Sequence, residues 1–155
     1  MQKQSAGILL YRIKNKVLEV LLVHPGGPYW KNKDAGSWTI PKGEFTDQDD
    51  PLEEAKREFR EELGFKFEGS VIKLSPIKQK GGKMVYAWAS EGDIDPLKIK
   101  SNMFEIEWPP KSGKNQKFPE VDKAEWFEVK EAMQKINQAQ LPFIDELIKK
   151  INREY

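Results

Sequence analysis

Two apolar, β-branched-rich runs open the chain, Ser5–Arg12 and Val17–Val23, with Lys14-Asn15-Lys16 between them. Short apolar runs bounded by a polar tripeptide predict two strands joined by a tight turn. His24-Pro25-Gly26-Gly27-Pro28 then reads as loop, because Pro offers no N–H and Gly no fixed φ. Trp38–Ile40 predicts a short strand that ends at Pro41-Lys42-Gly43. Beyond it the spacing changes to that of a helix. Leu52, Ala55, Phe59 and Leu63 recur at three- and four-residue steps. Asp50 is placed as N-cap, Pro51 at the first helical position, Glu53 as the far side of a capping box, and Gly64 as the left-handed closing residue.

Further strands are predicted at Ser70–Ile77 and Met84–Ala89, around Gly81-Gly82, and at Met103–Trp108 and Ala124–Phe127. Val129, Ala132, Met133 and Ile136 share one helical face; Phe143, Ile144, Leu147, Ile148 and Ile151 share another, so two amphipathic helices end the chain. The order predicts an α/β fold with a mixed sheet flanked by helices. With no repeat and no low-complexity linker, residues 1–155 are expected to form one domain.

Composition narrows the chemistry. The hydrophobic share is 38%, the charged share 33%, and the net charge is +1. A balanced, aromatic-containing composition is that of a folded soluble chain. It exerts no general pull on nucleic acid or an anionic membrane, so neither is an expected partner. There is no cysteine. Disulfides, thiolate metal sites and a cysteine nucleophile are therefore excluded, and the available metal ligands are mainly oxygens. The polar Met1–Ser5 and the brief apolar stretch Gly7–Tyr11 are too short for a signal or membrane segment, which sets the expectation of a cytoplasmic protein.

On the Asp50–Leu63 helix, Glu54, Glu58, Glu61 and Glu62 fall three and four residues apart. Each like-charge pair at that spacing costs about 0.2–0.5 kcal/mol, and Arg57 offsets only part of it by pairing with Glu61 or Glu54. A solvated acidic face and a metal-binding face both fit this pattern. The whole segment GEFTDQDDPLEEAKREFREELGF is more specific. Gly43, Arg57-Glu58, Phe59, Glu61-Glu62, Gly64 and Phe65 stand in register with the Nudix signature: Gly, five residues, Glu, seven residues, Arg-Glu, an apolar residue, one residue, Glu-Glu, one residue, Gly, an apolar residue. Asp49 occupies the position where that family usually has Glu. The charge is kept, with one methylene less reach. SAGILLYR near the N-terminus and WTIPKG before the motif are also similar to family members, and the run around Pro41-Lys42-Gly43 resembles the branches that cleave dinucleoside polyphosphates.

The resemblance implies a Nudix-like α/β/α sandwich and a hydrolase of phosphoanhydride bonds that uses Mg²⁺ or Mn²⁺. It implies that Glu58, Glu61 and Glu62 hold the metals beside Gly43, and that Arg57 orients a glutamate. Such hard cations take oxygen ligands from a rigid element, which the residue types supply. The family draws its general base from the motif helix or from a separate loop. Glu105, Glu107 and Glu120 lie outside the motif, and Glu120, just before the Ala124–Phe127 strand, is the one taken as catalytic.

A small-molecule nucleotide is the expected partner. Lys42 and Lys83 are candidates for its phosphates, and Tyr29 and Trp30, after a Gly/Pro loop, for stacking on its base. Trp88 lies in an apolar strand and reads as core. Ser112-Gly113-Lys114 lacks the upstream glycine of a P-loop, since that position is Trp108. His24, the single histidine, stands at a strand end and argues against a Ser-His-Asp hydrolase. Dinucleoside polyphosphates or nucleoside triphosphates lead as substrates. Diphosphoinositol phosphates, sugar nucleotides and capped RNA ends stay open, as does a nucleotide-sensing module that binds without cleaving.

Overall fold

A computed structural model describes residues 3–154. Met1 and Gln2, from the polar N-terminal segment, and Tyr155 lie outside the described residues. Strand β1 (Gln4–Lys14) turns at Asn15 and Lys16, both with positive φ, into β2 (Val17–Pro25), antiparallel to it. Strand β3 (Lys42–Phe45) lies antiparallel on the start of β1, and helix α1 (Pro51–Leu63) follows. Strands β4 (Ile72–Lys73) and β5 (Ile77–Lys78) both pair with β6 (Met84–Glu91), which runs parallel to β1. Strands β7 (Met103–Glu107) and β8 (Asn115–Pro119) make a separate hairpin. Strand β9 (Val121–Glu128) pairs with β2, and helices α2 (Val129–Lys135) and α3 (Leu141–Glu154) complete the fold. The main path across the sheet is β4-β6-β1-β2-β9.

The continuous apolar character of β1 follows from burial on both faces. Ala6, Ile8 and Leu10 point into a cluster with Ala55, Phe59 and Leu63 of α1; Leu9 and Tyr11 point into the opposite cluster with Ala132, Phe143, Ile144, Leu147 and Ile151. Helices thus cover both sides of the mixed sheet, which is the expected α/β/α arrangement. No helix among the described residues is long and apolar enough to cross a membrane.

Three expectations are corrected, and one strand is added to those expected. Trp38–Ile40 is not a strand: it makes only isolated bridges, Thr39 to Val23 and Trp38 to Ile136, and the amide of Ile40 donates to the side chain of Gln140 instead of a neighbouring strand. The strand begins two residues later, at Lys42, where Gly7 of β1 lets the chain close in. A Cβ on Gly7 would sit 2.4 Å from the Pro41 carbonyl oxygen. Ser70–Ile77 breaks into β4 and β5, because Pro76 has no N–H and the Ser75 amide donates to Glu146. The predicted loop at His24 starts late, since β2 continues through Pro25 with a register shift. Strand β8 escapes apolar patterning altogether, because Asn115, Gln116 and Lys117 are polar and exposed.

Candidate active site

Helix α1 begins where its chemistry predicts. The Asp50 carboxylate accepts from the Leu52 amide at 3.1 Å, Pro51 follows, and Gly64 closes the helix at φ 78°. Glu53 pairs with Lys56. Ala55, Phe59 and Leu63 bury one side of the helix and so fix its rotation about its own axis. That rotation turns Glu58 and Glu62, four residues apart, toward the Lys42–Gly43 backbone. The Glu62 carboxylate accepts from the Lys42 amide at 3.0 Å. A Cβ on Gly43 would stand 2.0 Å from the Glu58 carboxyl carbon, so only glycine leaves room for that carboxylate.

The third carboxylate comes from the link between β8 and β9. The Asn102 amide donates to the Glu61 carbonyl at 2.8 Å, and the Asn102 carbonyl accepts from the Glu120 amide at 2.8 Å. This chain of backbone bonds ties Glu120 to the end of α1. Ligand oxygens of Glu58, Glu62 and Glu120 all lie within 4.8 Å of one another.

Packing three carboxylates together away from water disfavours ionisation. Burial, then the charge of Glu58, pushes Glu62 up to about 8. Glu58 is raised by burial and then by Glu61; Glu120 is raised by the same two causes. Lys42 is lowered by burial first and by Lys83 second. Arg57 gathers the outer charges: Nε donates to Glu54 at 3.0 Å, Nη1 to Glu61 at 2.7 Å and Nη2 to Glu58 at 3.1 Å. Its own pKa is raised by those carboxylates.

The predicted residues therefore divide. Glu58, Glu62 and Glu120 converge, while Glu61 turns to Arg57 at the rim. Lys42 and Trp30 line a cleft of about 270 Å³ together with Glu62 and Glu120. Lys83 is not on that wall; it pairs with Glu44 at 3.5 Å. Tyr29 is 60% exposed and meets Trp108 edge-on at 5.2 Å, outside the cleft wall. Glu105 and Glu107 stand exposed on β7, and Trp88 is buried core. The Asp49 carboxylate accepts from the Thr46 amide at 2.9 Å and the Thr46 hydroxyl at 3.0 Å, which holds its pKa low and uses the shorter side chain within its own loop. His24 is buried between Asp122 and the Lys33 carbonyl, to which its Nε2 donates, and so anchors the loop bearing Trp30. A larger depression, about 710 Å³, is lined by Arg12, Asp93 and Trp126; there Arg12 is paired with Glu19 and Asp93.

The remainder of the cleft wall was not foreseen. Ser37, Thr39, Gln79, Asn137 and Gln140 face it. The one trace in the sequence is the polar Asn137–Gln140 break between two amphipathic helices, which reads first as a turn.

The model of the NUDIX domain matches residues 1–147. The chain belongs to the Nudix family. Family membership makes it an enzyme, a Nudix-type pyrophosphohydrolase. Nudix proteins generally use divalent metal ions, and a carboxylate cluster stands ready in this one. Solved Nudix structures share its fold at low identity. A Caenorhabditis elegans Ap4A hydrolase in a binary complex superimposes with a TM-score of 0.67 at 20% identity, covering 99% of both chains. The NUDIX domain of Shewanella oneidensis NrtR, complexed with ADP ribose, gives 0.64 at 13% identity over 97% of this chain and 89% of that one. A mutT/nudix family protein from Listeria innocua gives 0.65 at 17% identity, covering 98% and 95%. No curated protein is a significant match to the chain.

Proposed function

We propose that this Nudix enzyme is a Mg²⁺- or Mn²⁺-dependent hydrolase of phosphoanhydride bonds in nucleoside-diphosphate-linked substrates, with dinucleoside polyphosphates and nucleoside triphosphates as the leading classes. The observation that carries the proposal is the convergence of Glu58, Glu62 and Glu120 to within 4.8 Å, with Glu62 and Glu120 on the wall of a cleft. Three hard oxygen donors with raised pKa values fit a small divalent cation, because ligation replaces the protons that burial otherwise retains. The ion supplies Lewis-acid chemistry, polarising the phosphoryl group and acidifying water.

The chain's own residues do the rest. Glu58 and Glu62 would hold the ion from one rigid helix face, and Gly43 leaves the space for Glu58. Glu61 adds negative charge at the rim. Arg57 fixes Glu58 and Glu61 in place through charge-assisted hydrogen bonds. Glu120, on a separate loop and raised by burial and by Glu61, would take the proton from the attacking water. Lys42 balances phosphate charge inside the cleft, and Trp30 offers an aromatic face to the base.

The Ap4A hydrolase in the binary complex makes a dinucleoside polyphosphate the first substrate to try, and the NrtR domain makes ADP ribose another. Glu62→Gln is expected to lower kcat by at least a hundredfold while the thermal transition stays sharp. Undiminished turnover by that folded variant contradicts the assignment.

A further inference from the structure

Gln140 lies in the turn Gln138–Gln140 between α2 and α3 and has no exposed surface. Its Oε1 accepts from the Ile40 amide at 3.1 Å. That bond sets the orientation of the side-chain amide, because the reversed amide would bring a donor against a donor. The Nε2 group is left with no hydrogen-bond partner among the described residues, and Gln140 forms part of the cleft wall. Its neighbours in the turn are spent on structure. Asn137 caps the turn by accepting from the Ala139 amide, and Gln138 donates to the carbonyls of Met133 and Ile136. Among the described residues of this turn, Gln140 is the one with a buried side-chain donor that has no partner.

Buried donors are nearly always satisfied, so an unmet one at a cleft wall calls for an acceptor from outside the chain. Its surroundings define that acceptor. The amides of Ile40 and Lys42, which hold Gln140 and Glu62 respectively, are two residues apart, a separation of at most about 7 Å along the backbone. Gln140 therefore stands one short step from the carboxylate cluster. The same wall carries the neutral polar side chains of Ser37, Thr39, Gln79 and Asn137, and Trp30 is 39% exposed, with the Lys33 ammonium 4.9 Å from its ring centroid. Lys42 is the single cation on that wall. A highly phosphorylated ring would need more positive charge there. A flat, uncharged heterocycle with ring-nitrogen or carbonyl acceptors needs an amide donor and an aromatic face, and a nucleobase attached to the reacting phosphates has that chemistry.

We infer that Gln140 is a specificity-determining residue whose free side-chain N–H donates to an acceptor on the nucleobase of the substrate. The inference rests on the hydrolase reading for which phosphates lie at the carboxylate cluster, but its test is a binding measurement. Dissociation constants of ATP and of base-free ribose 5-triphosphate are measured by calorimetry for the wild-type protein and for Gln140→Met, which matches the side chain in length and removes the amide. The variant is expected to weaken ATP roughly tenfold, the loss of one hydrogen bond, and to leave ribose 5-triphosphate within about twofold. Equal weakening of both ligands means that Gln140 only shapes the Ile40 segment, and no weakening of either means that its donor is unused; both overturn the inference. If Gln140→Met does not fold, the wild-type protein decides by NMR. The Gln140 side-chain amide signals should shift with ATP and stay in place with ribose 5-triphosphate, and the inference fails if they respond alike. ATP binding without any turnover would count against the hydrolase reading while leaving the Gln140 result intact.

Discussion

Metal binding by this protein should be coupled to proton release, with Glu62 as the main source. Glu62 sits at about 8 in the metal-free protein, against 4.5 for an unperturbed glutamate. At pH 6 on the order of 1% of molecules carry it ionised, at pH 7 about 10%, and at pH 8 half. The apparent association constant for Mn²⁺ should therefore rise about tenfold from pH 6 to 7, about fivefold more by pH 8, and level off above about pH 9. Glu58 and Glu120, also raised, act in the same direction. The sign for stability is the opposite. A carboxyl that holds its proton more tightly when folded stabilises the fold fully below 4.5, and this contribution is lost as pH rises through about 8. Over that interval the change amounts to about 5 kcal/mol at most. The metal-free Tm should thus fall between pH 5 and 8, and saturating Mn²⁺ should raise Tm more at pH 8 than at pH 6. Calorimetric titration in two buffers of different ionisation enthalpy reads the protons directly, with Glu62→Gln as the control that flattens the pH dependence. A metal affinity that is constant from pH 6 to 8, with no proton released, would refute the electrostatic description of the site.

Gly43→Ala forces a methyl group into the space of the Glu58 carboxyl. It should lower Mn²⁺ affinity at least tenfold in titration and cost about 1–3 kcal/mol in urea unfolding. Arg57→Ala releases Glu54, Glu58 and Glu61. Because Arg57 is half exposed, stability should change by less than about 1 kcal/mol, whereas kcat/KM should drop tenfold or more. Phe59→Ala opens a void beneath α1, where the ring is 2% exposed, and should cost about 3–5 kcal/mol by chemical denaturation.

The parts of this molecule legible in the sequence are those where local pattern and tertiary environment agree. The middles of β1 and β2, Ala6–Tyr11 and Val20–Val23, are apolar because both faces are covered there, and α1 carries its cap, its first-turn proline and its closing glycine within one short segment. The motif glutamates were visible for the same reason. Their division was not. Successive residues on a helix point about 100° apart, so the burial of Phe59 and Leu63 that turns Glu62 inward leaves Glu61 beside Arg57. Glu120 reaches the site through backbone bonds of Asn102 and a polar strand, β8, which leave no periodic trace. Glu120 was nevertheless singled out by its place before the Ala124–Phe127 strand, whereas the Gln140 amide was hidden, since an isolated polar residue in a turn has the same appearance whether it caps a backbone or faces a ligand.

The most direct test of the account is product analysis of the purified protein with diadenosine tetraphosphate, nucleoside triphosphates, ADP-ribose and diphosphoinositol phosphates, each with Mg²⁺, Mn²⁺ or EDTA. Cleavage of a phosphoanhydride in a base-bearing substrate is expected, supported by either metal and abolished by EDTA. Cleavage that persists in EDTA, or nucleotide binding with no turnover of any substrate, would contradict it.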